Sequence, residues 1–435
     1  MEKEIKKILI ITYYFPPAGG PGVQRWLKFI KYLPEFGLQP IVYIPENPTY
    51  PIVDENLLAE IPSNITILKH KIFEPYRFAS FFSKNKTDII SSGIIPSQKK
   101  QTFVDKFLLW VRGNLFIPDA RIFWVKPSVK FLSNYISENN IDTIVTTGPP
   151  HSLHLIGLEL KQKLNLEWIA DFRDPWTTIG YHSALKLSKN AQQKHIELEK
   201  KVLQTANKII VTSKTTKTEF AVITSKPITV ITNGFEIDKA IKSEKIVLDA
   251  KFSLAHIGSF LSDRNPKILW ECLLELINEI PEFKNHLEIK LIGKVSQEVL
   301  VTISAYKLNK FINNLGYVSH EIAIEHQKKS QILLIIEIDS EKTKCIIPGK
   351  IFEYMVSGRP IIGIGPKKAD FEEILINTNS GKFVNYSQKV ELKQILVGHY
   401  QAFLIGNLNS NPINLEQYSR KNLTKQLADL INSKI

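Results

Sequence analysis

Two cysteines, Cys272 and Cys345, are all that the 435 residues contain. So few exclude a disulfide framework and suit a reducing compartment, and no C-x-x-C or His/Cys cluster suggests a structural metal. No apolar run approaches the roughly 20 residues that cross a bilayer. The first such run, in "MEKEIKKILIITYYFPP", is only about eight residues long, lacks a small-residue cleavage site and leads into a glycine loop. It reads as a first β-strand and not as a signal peptide. The familiar glycine signatures of nucleotide sites are also missing. In a G-x-G-x-x-G frame, Gly20-Pro21-Gly22 puts Arg25 at the third glycine, and no G-K-[ST] completes a Walker loop. Negative charge is in deficit, with 43 Asp and Glu against 56 Lys and Arg, a formal net charge of +13. That balance favours acidic partners (nucleic acid, anionic lipid or phosphorylated small molecules), and a lysine-rich solvated surface would produce it equally well.

What the chain does have is a repeated order of short apolar runs and helical patterns. At 43% hydrophobic and 10% aromatic it can bury a full core, and its length suggests two domains of about 200 residues each. "KILIITYYF", "QPIVYIPE", "NITILKHK", "IDTIVTTGPP", "EWIADFRDPW", "NKIIVTS" and "PITVITNGF" read as strands. Between them lie the helical patterns "GVQRWLKFIKYLPEFG", "VKPSVKFLSNYISENN", "HSLHLIGLELKQKLN" and "NAQQKHIELEKKVLQTA". After a polar, charged stretch the alternation restarts with strand "FSLAHIGSF", helix "NPKILWECLLELINEIP" and strand "HLEIKLIGK". "FINNLGYVS", helix "HEIAIEHQKKS", strand "QILLIIEI", helix "GKIFEYMVSG" and strand "RPIIGIGP" follow. Such alternation implies parallel sheets covered on both faces, once per half. The expected divisions are an N-terminal domain over 1–235 with an insertion at 75–127, a linker over 236–250, a C-terminal domain over 251–413, and an amphipathic helix over 414–435.

The motifs sit where strands end. "FPPAGGPG" places Gly19, Gly20 and Gly22 between a strand and a helix, so the chain can approach an anion closely beside free N–H groups. "TTGPPHS" repeats that form and carries His151. "DFRDPW" ends the next strand with Asp171, Arg173 and Asp174, either a structural ion pair or groups pointing into a crevice. Ligands of open α/β sheets bind outside the carboxyl ends of strands, so these ends can converge. In the second half "HIGSFLSDRNPK" offers Arg264 and Lys267, a bidentate fork and a point charge for phosphate. "CIIPGKIFEYMVSGRPII" puts Gly349 and Lys350 at a helix start favourable to a diphosphate. Glu353 follows one turn on, where it can accept from ribose hydroxyls or simply cap.

The ordered set "YYFPPAGG…R", "TGPPHSLHLIG", "ADFRDPW", "NKIIVTS", "ITNGFE", "HIGSF…R", "LIGK", "LGYVSHEIAIEHQKKSQILL" and "PGKIFEYMVSGRPII" resembles family 4 glycosyltransferases over nearly the whole chain. The resemblance implies a GT-B fold: two Rossmann-like, doubly wound α/β domains facing across a cleft, with a C-terminal helix crossing back to the N-terminal domain. It implies retaining transfer from a nucleotide-diphosphate sugar to a saccharide or lipid-linked acceptor, with no bound cofactor and no metal. Arg264 matches the diphosphate-binding position, with Lys350 or Lys267 as second positive charge. Glu353 matches the ribose contact, and Lys294 and Val318 lie where the base is held. Ser259 falls on the donor side. Gly19 and Gly20 match a glycine pair near donor phosphate and acceptor. Asp171 or Asp174 is expected to orient the acceptor or to hold Arg173. Two departures stand out. Counting back from Glu353, the first glutamate of E-x7-E is replaced by Cys345. A histidine usual at the end of the strand "IVTT" is replaced by Thr146 and Thr147, leaving His151 as its substitute. Arg264→Ala is expected to cut turnover more than roughly tenfold with the fold intact.

The insertion 75–127 carries nine Lys and Arg against three Asp, interleaved with Phe, Trp and Leu. It suits either a basic amphipathic element on an anionic membrane surface or a packed insert. A cytoplasmic location is expected, at the inner face of the membrane if the insert binds lipid. Competing readings are another enzyme or a non-catalytic protein of the same fold, and a nucleic-acid-binding protein. Against the last, no helix-turn-helix, RNP-like aromatic pair or finger spacing occurs, so nucleic acid is not an expected partner.

Overall fold

The computed structural model describes residues 5–75, 103–236 and 246–433. The chain divides into two compact units, 1–233 together with 420–435, and 234–419.

The N-terminal unit is built on seven parallel strands: β1 (Lys6–Ile11), β2 (Leu38–Pro45), β3 (Thr66–His70), β4 (Thr143–Gly148), β5 (Glu167–Phe172), β6 (Lys208–Val211) and β7 (Ile228–Val230). Their spatial order is β3-β2-β1-β4-β5-β6-β7. Successive side chains of a strand face opposite ways, and β1 shows the consequence. Leu9 and Ile11 enter one core, which holds Val129, Leu132 and Ile136 of helix Ile122–Glu138, Leu153 and Ile156 of helix Ser152–Lys163, and Val202 and Leu203 of helix Lys189–Thr205. Ile8 and Ile10 enter the other, with Trp26, Phe29 and Ile30 of helix Pro21–Tyr32.

Leu423, Leu427 and Ile431 complete that second core, so the C-terminal helix Arg420–Asn432 belongs to the N-terminal unit. It is shorter than the expected 414–435. A one-and-a-half-turn 3-10 segment (Leu415–Tyr418) ends at Ser419, whose ψ of 142° is extended and breaks the helical path. Lys208 closes the far end by donating to Leu430 O at 2.7 Å and Ser433 O at 2.5 Å, where helix carbonyls lack partners.

The C-terminal unit has six parallel strands: β8 (Phe252–Ile257), β9 (Leu287–Ile292), β10 (Ile312–Gly316), β11 (Ile332–Ile336), β12 (Ile361–Gly365) and β13 (Gly381–Asn385). Their order is β10-β9-β8-β11-β12-β13. One face carries helices Lys267–Glu279, Gln297–Ala305 and Lys389–Leu404. The other carries the short helix Lys350–Met355 and helix Asp370–Asn377. In both sheets the strand order reverses beside the first strand, between β1 and β4 and between β8 and β11, and the crevice outside those strand ends is where such sheets take ligands.

Of the insertion, helix Phe103–Leu115 is described. A Cβ on its Gly113 would come within 2.6 Å of Leu187 Cδ2, so the helix is seated closely on the N-terminal unit. Phe107, Trp110 and Leu115 stay exposed, as does Phe123 just beyond. Residues 76–102 of the insertion and 237–245 of the expected linker lie outside the described residues. Among the described residues no helix is long and apolar enough to cross a membrane.

Candidate active site

In the C-terminal unit the chemistry gathers at the β8/β11 reversal. β8 leaves its sheet through Gly258 at φ +113°, and β9 leaves through Gly293 at φ +118°. A Cβ on Gly293 would sit 2.5 Å from Gly258 O, so only glycine lets these two turns close on each other. The β8 turn then winds through Ser262–Arg264 into helix Lys267–Glu279.

Arg264 lays its fork on Glu337, the residue after β11, with Nε to Oε1 at 3.2 Å and Nη2 to Oε2 at 3.0 Å. Glu337 is wholly buried, and its Oε1 also accepts from Ile338 N at 2.9 Å. The expected phosphate fork is therefore already occupied by a carboxylate. Among the described residues Nη1 alone is left over. The expectation that Arg264→Ala leaves the fold intact is revised for the same reason, because that change strands a buried carboxylate.

Lys350 reaches back to β8, donating to His256 Nε2 at 2.9 Å and to Ile257 O at 3.1 Å. Burial and the nearby Arg264 push its ammonium down to about 7, with Glu337 opposing. His256 is buried and stacked on Phe260 at 4.2 Å between ring centroids. Burial, Lys350 and Arg264 hold it far below the ordinary histidine range, so it stays neutral with a lone pair for Lys350.

Glu353 is 42% exposed, accepts from Gln327 Nε2 at 3.3 Å and lies 3.9 Å from His320 Nε2, on the helix that follows β10. Gly349 precedes a helix of six residues, so it brings little of the summed dipole of a long helix. Ser259, Lys267 and Lys294 are exposed around the same strand ends, and Val318 is partly buried against the apolar core there. Cys345 is buried, its thiol 3.8 Å from Lys342 O.

In the N-terminal unit the glycine loop after β1 is pinned by the segment after β2, with Gly19 N donating to Ile52 O at 2.9 Å and Asp54 N to Pro17 O at 2.8 Å. A Cβ on Gly19 would meet Ile52 Cγ2 at 2.9 Å, whereas Gly20, at φ +102°, has open space where a side chain would be.

Asp171 does not hold Arg173. It is fully buried and pairs with Arg25 at 3.0 Å, while Trp26 Nε1 and Thr147 Oγ1 donate to its Oδ2 at 2.7 and 2.9 Å. Burial opposes its charge, but Arg25 and these hydrogen bonds still hold the carboxyl below its ordinary range. It is a framework ion pair with no oxygen turned outward, which corrects its expected place among the reacting groups.

Arg173 instead crosses to the next loop, donating from Nε to Gly148 O at 3.3 Å and from Nη2 to Pro149 O. Burial pushes the neighbouring Asp174 carboxyl up, with Arg173 opposing. His151 is buried, stacked on Trp176 at 4.9 Å, and neither ring nitrogen has a hydrogen-bond partner. Burial first, then His154 and Arg173, keeps it neutral.

Sequence reasoning missed Glu337 and His256 as the holders of Arg264 and Lys350. The signal for Glu337 was there: an acid ending the aliphatic run "ILLII" is buried and needs a partner. Nothing marked His256. Among the described residues no group of three or more His, Cys, Asp or Glu is placed to hold a metal.

No family model and no curated protein matches the chain. Solved structures do. Anabaena Alr3699/HepE, in complex with UDP and glucose, aligns at a TM-score of 0.61 and 13% identity over 99% of this chain and 100% of its own. A glycosyltransferase from Rickettsia africae aligns at 0.59 and 15% over 98% and 99%. The E. coli trehalose-6-phosphate protein bound with UDP-2-fluoro glucose aligns at 0.62 and 9% over 99% and 100%. The fold is thus the GT-B fold of glycosyltransferases, along the whole chain.

Proposed function

We propose that the chain is a retaining glycosyltransferase that moves a hexosyl-type sugar from a nucleotide-diphosphate sugar to a saccharide or lipid-linked acceptor, in surface polysaccharide or glycoconjugate synthesis. The observation that carries this is the convergence of Arg264 and Lys350 on the strand-order reversal of the C-terminal unit, each anchored by a buried partner, Glu337 and His256. Two anchored cations at one strand end suit a diphosphate leaving group. The structural neighbours with UDP and with UDP-2-fluoro glucose make a uridine nucleotide the first donor to test.

As the anomeric carbon becomes cationic, charge builds on the departing diphosphate. Preorganised donors meet it without reorganisation: Lys350 Nζ, Arg264 Nη1, and Lys267 from the rim. Glu353, half exposed at the start of its helix, accepts from ribose hydroxyls, and Lys294 and Val318 border the base. Gly19 and Gly20 give a wall without side chains beside the acceptor, whose proton passes to the departing phosphate. Asp174, with Arg173 next to it, orients the acceptor hydroxyl. His151, a neutral ring stacked on Trp176, supports the loop after β4.

A thermal-shift panel of UDP, GDP, ADP and their sugar conjugates tests the donor reading, and no response to any of them would defeat it. Proton NMR of the glycoside product tests retention, since an anomeric coupling opposite to the donor's would refute it. The exposed Phe107, Trp110 and Leu115 beside Arg112 support a membrane-facing role for the insertion. Co-sedimentation with anionic vesicles at low salt should be weakened severalfold by Trp110→Ser, and absence of wild-type binding would remove that role.

A further inference from the structure

The two carboxylates of the candidate site are held by different chemistry. Glu337 is matched by a guanidinium. Glu353 is matched by an amide. Gln327 Nε2, in the last turn of helix His320–Lys329, donates to Glu353 Oε2 at 3.3 Å, and among the described residues no other hydrogen bond reaches that carboxylate. His320 Nε2 stands 3.9 Å from Oε1, beyond hydrogen-bond distance. A neutral donor orients one oxygen and leaves the negative charge unmatched. Oε1 stays open to accept, on a side chain that is 42% exposed.

Burial gives the amide its meaning. Gln327 is only 5% exposed, and hiding an amide is costly unless its donor is met. The Glu353 carboxylate meets it. The backbone under Glu353 is already fixed. Ile351, Phe352, Tyr354 and Met355 lie in an apolar core against which Ala323 of the Gln327 helix also packs, and Tyr354 Oη accepts from Ile257 N of β8 at 3.1 Å. What stays loose without Gln327 is the Glu353 side chain itself. Holding it before a ligand arrives removes its rotamer entropy from the cost of binding. Lys350, three residues earlier on the same short helix, is a surface neighbour of Glu353 and is anchored on His256. A cation beside an oriented acceptor suits a phosphate beside a sugar hydroxyl.

We propose that Gln327 is a positioning residue: it holds the Glu353 carboxylate in the orientation that accepts from the ribose diol of the nucleotide, and so sets a preference for ribonucleotides over their deoxy forms. This rests on the transferase reading, in which Glu353 faces the donor ribose.

Calorimetry on the full chain with UDP, GDP and ADP, each beside its 2′,3′-dideoxy form, reads that preference as a ratio of dissociation constants. Base and diphosphate are common to each pair, so the ratio isolates the diol. Gln327→Met keeps the volume and removes the donor. Gln327→Glu keeps the shape and sets a second carboxylate against the first. Glu353→Ala removes the acceptor. Thermal melting checks the fold of each variant. For the nucleotide that binds, the wild type should prefer the ribose form by about tenfold, and Gln327→Met should cut that preference about threefold or more. Gln327→Glu should cut it further, and Glu353→Ala should abolish it. With Glu353→Ala in place, adding Gln327→Met should leave the ratio where it is. A merely structural role would weaken both members of a pair alike and leave the ratio standing, which would overturn the proposal. An effect of Gln327→Met on the ratio that persists without Glu353 would overturn it too. If a nucleotide and its dideoxy form bind the wild type equally, the proposal falls and a diphosphate site stands. If no nucleotide binds, the transferase reading falls and the proposal with it.

Discussion

Donor binding should be linked to the uptake of one proton, and Lys350 is where that proton goes. In the unliganded protein its ammonium is held near 7, mainly by burial and then by Arg264. A diphosphate charge brought within about 4 Å, at an effective dielectric of about 20, contributes about 4 kcal/mol, close to three pKa units. That is enough to carry Lys350 past about 9 in the complex. Half of the protein is protonated there at pH 7 and about one part in a hundred at pH 9, so affinity should fall about 50-fold over those two units. The other groups facing Lys350 do not supply the effect. His256 on β8 is neutral throughout, and Arg264 and Glu337 are an ion pair. A nucleotide sugar is the ligand to use, because its diphosphate diester has no proton to lose in this range. Calorimetry in two buffers of different ionisation enthalpy reads affinity and proton uptake together, with about 0.9 proton taken up per donor at pH 8. Lys350→Met should flatten the profile at the weak, high-pH affinity. A wild-type affinity that is level from pH 6 to 9, with no proton exchanged, would refute the argument.

Arg264→Ala should destabilise the C-terminal unit by about 3 kcal/mol, because Glu337 is left charged and buried, and Arg264→Met with Glu337→Gln should recover most of that loss. Denaturant unfolding decides it, and a wild-type midpoint for the single variant would count against the pairing. His154 is fully buried and held down to about 3 by burial, so it contributes stability above an unfolded value of roughly 6.5 and loses it as pH falls from there. The N-terminal unit should therefore weaken by up to about 1.4 kcal/mol per pH unit below pH 6 on its account, with His151 adding to the slope, and less steeply in His154→Gln. Near-UV circular dichroism melts from pH 7 to 5 read this, and identical slopes in the two proteins would exclude it. Leu427→Ala, at a position with no exposure in the C-terminal helix, should cost about 2–5 kcal/mol of N-terminal-unit stability. A loss confined to the C-terminal unit would contradict the assignment of that helix.

The places of the strands along the chain follow from local pattern, since "KILII", "DTIVTT" and "FSLAHI" are short apolar runs bounded by turn residues. The far edge of the second sheet was less legible. β13 is a five-residue strand whose Gly381 must lie against Ile361 O, where a Cβ would come within 2.1 Å, and neither its length nor its pattern announces that approach. Partner choice was least legible of all. The spacing in "DFRD" invites an Asp171–Arg173 pair, but Arg25, 146 residues away, claims the carboxylate. What a charged residue can do is decided by what is left after the fold has used it. Asp171 has nothing left. Arg264 keeps one amino group and no net charge. Lys350 keeps a charge that titrates near neutrality. Arg173 spends Nε and Nη2 on main-chain carbonyls and packs Nη1 on Gly22. Arg264, the residue a motif reading ranks first, is thus half committed to Glu337, and burial together with Arg264 sets the proton affinity of Lys350.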